Sequence, residues 1–365
     1  MPSLLTEKFL DAQSEIFTFI ERIFEQVPIP SLEDIFTLLD QSINRKSYCV
    51  GYSWQELEEV RSALYTAIVV LLHTRGRKIS KQEEFYDSVA ACLIKERLAA
   101  GQEGDPFSVI SLNWDCVLEN AIYWCLGQCN TTKADIDYCC YTNPFQGTSR
   151  HTPSINQKAL GLYNIKVLKP HGSVNWVICP NCNRLYAGLG APVELMEEYI
   201  VGDFCPRCEK ALAPSEEDEV YAPFLEPFII TPTFVKEFDN AHIQMVWHNA
   251  YIELREATKV IFIGYSLPEA DYHWRTLLKR AIGRHAEIVV VLMPNDNPPD
   301  DCEDHIRDKY AVSRYKAFFG SEPKVEFKLE GVKEYFKEAL EDMPLLERIE
   351  FLRQEFRKFN TAISP

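Results

Sequence analysis

Two Cys-x-x-Cys pairs, Cys179/Cys182 and Cys205/Cys208, constrain this chain more than any other feature. The two-residue gap lets both sulfurs of a pair reach one metal ion. Twenty-two residues separate the pairs, and Pro180 and Pro206 help set their turns. Four thiolates make a closed tetrahedral site, so the expected Zn²⁺ is structural and leaves no open position for catalysis. The bland alternative is chance spacing. Asn181 and Arg207 in the knuckles would suit a nucleic-acid zinc ribbon, but the acidic flank Ser215–Glu219 argues against one. Eight other cysteines (Cys49, Cys92, Cys116, Cys125, Cys129, Cys139, Cys140 and Cys302) sit mostly in helical or apolar patterns. With no export signal they read as reduced, buried thiols.

The 365 residues are 46% hydrophobic and 25% charged, ordinary for a globular protein with room for two or three domain-sized units. Net charge is −16, so phosphate backbones repel the chain and direct nucleic-acid binding is not expected. No run of about 18 apolar residues is present, so no membrane span is expected. The start, Met1–Lys8, lacks a basic-then-apolar leader. The expected location is the cytoplasm.

The first third reads as helical. Ser31 suits a helix N-cap, with Glu33 and Asp34 in the first turn and Ile35, Leu38 and Leu39 on one face. Ser53 to Glu56 fits a capping box, as does Ser80 to Glu83, and Gly101 ends the helix before it. The pattern then changes. Phe107 to Leu112, Ile165 to Leu168, Lys259 to Ile263 and Glu287 to Leu292 are short apolar strands with helices between them. Continuous apolar strands alternating with helices indicate an α/β fold with a parallel sheet covered on both faces. Residues 128–160 read as a long polar connection, and Phe228 to Thr233 as a strand or turn. Residues 240–257, 269–284 and two stretches within 331–359 read as helices. In the last of these, Leu346, Ile349, Phe351, Leu352 and Phe356 suit either core docking or a subunit interface.

Reactive groups collect where strands end. Open α/β sheets bind ligands beyond the carboxyl ends of their strands. Asn113 and Asp115 follow one strand and His171 another. Histidine is the side chain best suited to take a proton near neutral pH, and an amide can orient a hydroxyl or water with both donor and acceptor. Each also has a bland reading: a satisfied structural histidine, a turn-forming amide, and Asp115 as a helix cap before Val117. Gly264-Tyr265-Ser266 follows a strand, where a small residue lets a phosphate approach backbone N–H groups. Asn295 follows the last strand. Beside Pro294 it suits a turn, or a ribose or adenine contact. Asp271 and Arg275, four apart on a helix, suit a surface pair.

Taken in order, Asn113-Trp114-Asp115, His171-Gly172, the cysteine pairs and Gly264-Tyr265-Ser266 resemble the sirtuin superfamily. Their variant forms most resemble the sirtuin-like domains of prokaryotic antiviral defence systems, over residues 107–300. The resemblance implies a Rossmann-like NAD-binding core with an inserted zinc module and extra helices at both ends. It divides the chain into an N-terminal helical part (1–106), a core (107–178 and 226–300), a four-cysteine zinc module (179–225) and a C-terminal helical segment (301–365). It further implies NAD hydrolysis, with His171 catalytic, Asn113 positioning water or the nicotinamide ribose, and Asp115 supporting the same pocket. Gly264 and Ser266 line the phosphate and ribose side. Such domains open with a strand and a Gly-Ala-Gly turn, and none precedes Asn113 here. The expectation is an internal start or a lost first strand. Gly188-Leu189-Gly190 lies between the metal cysteines and cannot serve. The alternatives are an NAD-dependent protein deacylase and a scaffold subunit that assembles with a motor ATPase or nucleic-acid-guided partner. A homo-oligomer is also expected.

Overall fold

The structure, a computed structural model, describes residues 4–24, 30–78, 83–144, 154–155, 161–187, 205–212, 225–231, 240–299, 309–321, 323–341 and 343–361. Ser80, Gly188–Gly190, the 215–219 acidic run and Cys302 lie outside them. The chain divides into two compact units, residues Met1–Val246 with Ile349–Pro365, and residues Trp247–Arg348. No helix among the described residues is long and apolar enough to cross a membrane.

The first unit opens with three helices, α1 (Leu4–Phe24), α2 (Leu32–Asn44) and α3 (Trp54–Lys78). Two local devices start α2 and α3 as their sequences predict. Ser31 Oγ accepts from Asp34 N while Asp34 Oδ2 accepts from Ser31 N. Ser53 and Glu56 make the same reciprocal pair. Each box satisfies two of the N–H groups that a helix start leaves orphaned. Phe19, Phe36, Leu39 and Leu57 are fully buried where the three helices meet. Helix α4 (Glu83–Ala99) packs on α5 (Val117–Gln128).

A parallel sheet follows, built from β1 (Val109–Ile110), β2 (Ala134–Asp137) and β3 (Tyr163–Leu168) in the order β1-β3-β2. The β1–α5–β2 connection therefore passes over the place that β3 fills. Strand β2 falls inside the stretch expected to be a polar connection. Its two aspartates hid it, and both are buried because partners wait for them. Asp135 accepts from Tyr123 Oη and Ile136 N, and Asp137 from Cys139 N and Asn164 Nδ2.

An antiparallel sheet comes next, in the order β5-β4-β6, from β4 (Gly172–Ile178), β5 (Leu185–Ala187) and β6 (Glu226–Ile229). The sequence reading ended its strand at His171 and foresaw no β4. Every residue of β4 is buried, polar ones included. Ser173 Oγ donates to the Trp114 carbonyl and Asn175 Nδ2 to Tyr138 Oη, so each polar side chain finds a partner inside. Helix α6 (Pro206–Leu212) carries the last cysteine, and α7 (Ala241–Glu256) ends in the second unit.

The second unit holds its own parallel sheet, β7 (Lys259–Ile263), β8 (Glu287–Val291) and β9 (Val325–Lys328), in that order. Helices α8 (Tyr272–Ala281), α9 (Ala311–Phe319) and α10 (Val332–Glu341) accompany it. Trp274, Leu278, Ile288, Val290 and Tyr315 form its interior. The final helix α11 (Leu345–Thr361) buries Ile349, Leu352 and Phe356, so most of its apolar face is spent within the fold. The fold class is thus α/β with parallel sheets, a four-cysteine module and helices at both ends.

Candidate functional site

Strands β1 and β3 run parallel, with Ile110 beside Leu168, so both chains leave the sheet at the same end. The segments that follow are stitched together. Ser111 N donates to the Leu168 carbonyl at 2.9 Å. The Trp114 carbonyl accepts from Val174 N at 2.9 Å and from Ser173 Oγ at 3.2 Å. The Asp115 carbonyl accepts from Lys169 Nζ at 2.6 Å. These bonds bring the loop bearing Asn113 and Asp115 against the turn bearing His171. Asn113 is exposed there, Asp115 half-buried and His171 8% exposed. Asp115 Oδ1 accepts from Val117 N at 3.1 Å, but Asp115 stands one place before the cap expected of it: the N-cap of α5 is Cys116, whose side chain makes no cap bond. The His171 carbonyl accepts from Ile230 N, which ties the turn to the chain beyond β6.

Beneath this end lies a charge pair that the motif reading left without a role. Lys169 Nζ is 3.1 Å from Glu119 Oε1 on α5, and both side chains are out of water. Burial works against the Lys169 charge, but Glu119, Cys116 and Asp115 together more than offset it and hold the group above its ordinary range. Next to it, burial and then Glu119 push the Cys116 thiol up to about 12, so this thiol stays protonated. The only local hint of the pair was one acid inside the apolar run Val117–Leu126.

The four cysteines converge. Their sulfurs all lie within 4.8 Å of one another, although the sequence splits them between the turn after β4 and the start of α6. Cys179 and Cys208 sulfurs are 3.7 Å apart, and those of Cys182 and Cys205 are 3.6 Å apart. A disulfide needs about 2.05 Å. A tetrahedron of zinc–sulfur bonds of about 2.3 Å has edges of about 3.8 Å, so the quartet fits one such ion. Second contacts orient the sulfurs: Asn181 Nδ2 donates to Cys208 Sγ, and Tyr186 Oη lies 3.4 Å from Cys205 Sγ. Val177 and Leu225 close the apolar side of the module.

Gly264, Ser266 and Asn295 belong to the second unit. Gly264 follows β7 at φ +63°, and its N–H donates to the Val291 carbonyl at the end of β8. The carbonyls of Tyr265 and Ser266 accept from Tyr315 Oη and Arg314 Nε. Asn295 is exposed in a 3₁₀ turn over Pro294–Asp296, the turn that its proline neighbour favoured. Asp271 accepts from Tyr265 Oη, and Arg275 lies over the Phe318 ring.

No family model matches the sequence, and no curated protein matches it. Solved structures do. A structure concerned with sirtuin substrate affinity is 16% identical, over 75% of this chain and 72% of its own, with a TM-score of 0.29. A variant Sir2 homologue in complex with ADP-ribose is 16% identical, over 82% and 79%, with a TM-score of 0.31. A Sir2 bound to acetylated peptide is 15% identical, over 75% and 71%, with a TM-score of 0.29. Superpositions this loose carry no weight for fold or function.

Proposed function

We propose that the chain is a sirtuin-like NAD hydrolase that cleaves the nicotinamide–ribose bond. The observation that supports it most is the stitching of the Asn113 loop to the His171 turn through Trp114, Ser173 and Val174. It sets an amide and an imidazole beyond the carboxyl ends of two neighbouring parallel strands, where open sheets take nucleotides. The quartet of cysteines beside β4 supports the same reading, with Zn²⁺ as a structural ion.

Cleavage passes through an oxocarbenium-like state at the ribose carbon. Nicotinamide leaves with the electron pair of the broken bond, and water adds in its place. Asn113 holds that water or a ribose hydroxyl. His171 accepts the released proton and passes it to solvent. Asp115 keeps the loop in place through Val117 N. The products are nicotinamide and ADP-ribose. Gly264, Ser266 and Asn295 are proposed, separately, to meet the phosphates and ribose of NAD. The cellular role proposed is cytoplasmic antiphage defence by NAD depletion, in a homo-oligomer or with a motor ATPase or other defence subunit.

The test is NAD depletion by the full chain, its His171→Ala variant and its Asn113→Ala variant. Each substitution is expected to lower turnover by about 100-fold or more, the usual weight of positioned acid–base groups. Equal turnover in all three removes both residues from the chemistry. NAD-dependent release of acyl groups from an acyl-lysine peptide would instead assign a deacylase, and no measurable NAD binding would leave a scaffold.

A further inference from the structure

An ammonium is expensive to bury, and a buried ion pair replaced by apolar side chains of similar volume often leaves stability unchanged or improved. Lys169 and Glu119 form such a pair, with side chains 0% and 2% exposed. Stability is therefore a poor account of why the charges are there. Connection is a better one. Lys169 Nζ spans two elements at once, reaching Glu119 in the first turn of α5 and the Asp115 carbonyl in the Asn113 loop. The Lys169 carbonyl accepts from Gly172 N at 3.0 Å, closing the turn that presents His171. One side chain thus reaches a residue two places from Asn113, while its own backbone shapes a turn two places away at His171.

The geometry points to Lys169 as a positioning residue: its ammonium, anchored by Glu119, sets the spacing between the Asn113 loop and the His171 turn. What that spacing serves rests on the NAD-hydrolase reading, but the spacing itself does not. The start of α5 and the loop just before it, one continuous stretch, meet the turn after β3 at one nitrogen. Cys116 and Ser173 contact each other at 3.4 Å and provide no charge to replace it.

The experiment uses the full chain with Lys169→Met, Glu119→Met and the double variant. Three quantities are read: unfolding midpoint, kcat and KM for NAD, and hydrogen exchange at the Ser111 and Val174 amides, which carry the cross-loop bonds. Each single variant strands a buried polar group and is expected to unfold earlier. The double variant is expected to recover the wild-type midpoint, yet keep a kcat lowered by about 100-fold, the usual cost of a reacting group displaced by about 1 Å. Its KM stays within about threefold of wild type, and the two amides exchange at least about tenfold faster. A double variant with wild-type midpoint, kcat and exchange overturns the proposal. Lys169→Gln, a neutral donor, serves where the double variant does not fold. In it the same two amides exchange faster, or the proposal is overturned. A wild-type chain that does not hydrolyse NAD refutes the hydrolase reading alone, because the exchange rates still decide the positioning.

Discussion

Gly172 gives the sharpest quantitative test of the site's architecture. It follows His171 at φ +72°, and it pairs with Ile229 across β4 and β6. A Cβ built there would sit 2.3 Å from the Phe228 carbonyl oxygen and 3.0 Å from Ile229 Cα. Both atoms are backbone, so no rotamer can relieve the collision. Gly172→Ala therefore carries two costs. Holding an L-residue in the left-handed region costs about 1–2 kcal/mol. Pushing β6 away also strains the bond from Ile230 N to the His171 carbonyl, and losing a buried hydrogen bond costs about 1–3 kcal/mol. Together the loss is about 2–5 kcal/mol.

Gly101 separates the two costs. It has the same φ, +72°, but a Cβ there would meet nothing within 4 Å. Gly101→Ala should lose only the backbone part, about 1–2 kcal/mol. Urea unfolding of wild type and both variants, compared at their midpoints, measures the difference. Gly172→Ala is expected to be the worse by about 1–3 kcal/mol, with NAD turnover lost in its folded fraction because His171 moves with its neighbour. Equal losses in the two variants would refute the close approach of β6 to this turn.

Metal content checks the cysteine quartet: the chain as purified should hold one zinc, and Cys205→Ser should release it and lower the unfolding midpoint. A metal-free, equally stable wild type would sink the assignment. Asp40 tests a buried carboxyl on α2. Burial raises its pKa above the ordinary 3.8, against the pull of the Thr231 hydroxyl and Arg61. The folded chain thus binds this proton more tightly than the unfolded one, and stability contributed by the group is lost as pH rises from about 3.8 through the folded value. Asp40→Asn should therefore gain stability relative to wild type between about pH 4 and pH 7, as read by unfolding at both; a constant difference would refute it.

What the sequence made legible was what short spacing encodes. The cysteine quartet depends on two two-residue gaps, the starts of α2 and α3 on a serine and an acid three places later, and the main parallel strands on unbroken apolar runs. Two hidden strands share one property: their polar side chains find partners in other elements of the chain. Strand β2 needs Tyr123 and Asn164 to bury its aspartates, and β4 needs Trp114 and Tyr138 to bury Ser173 and Asn175. Strand β9, part-exposed and alternating, lacked an apolar run altogether. The same property explains why Lys169 and Glu119 could not be matched in advance. They lie fifty positions apart, and only the path of β1–α5–β2 over β3 sets the first turn of α5 beneath the turn after β3. A lone acid in an apolar helix is then a sequence signal in its own right: it announces a buried cation somewhere, and the strand ends of a parallel sheet are where to look for it.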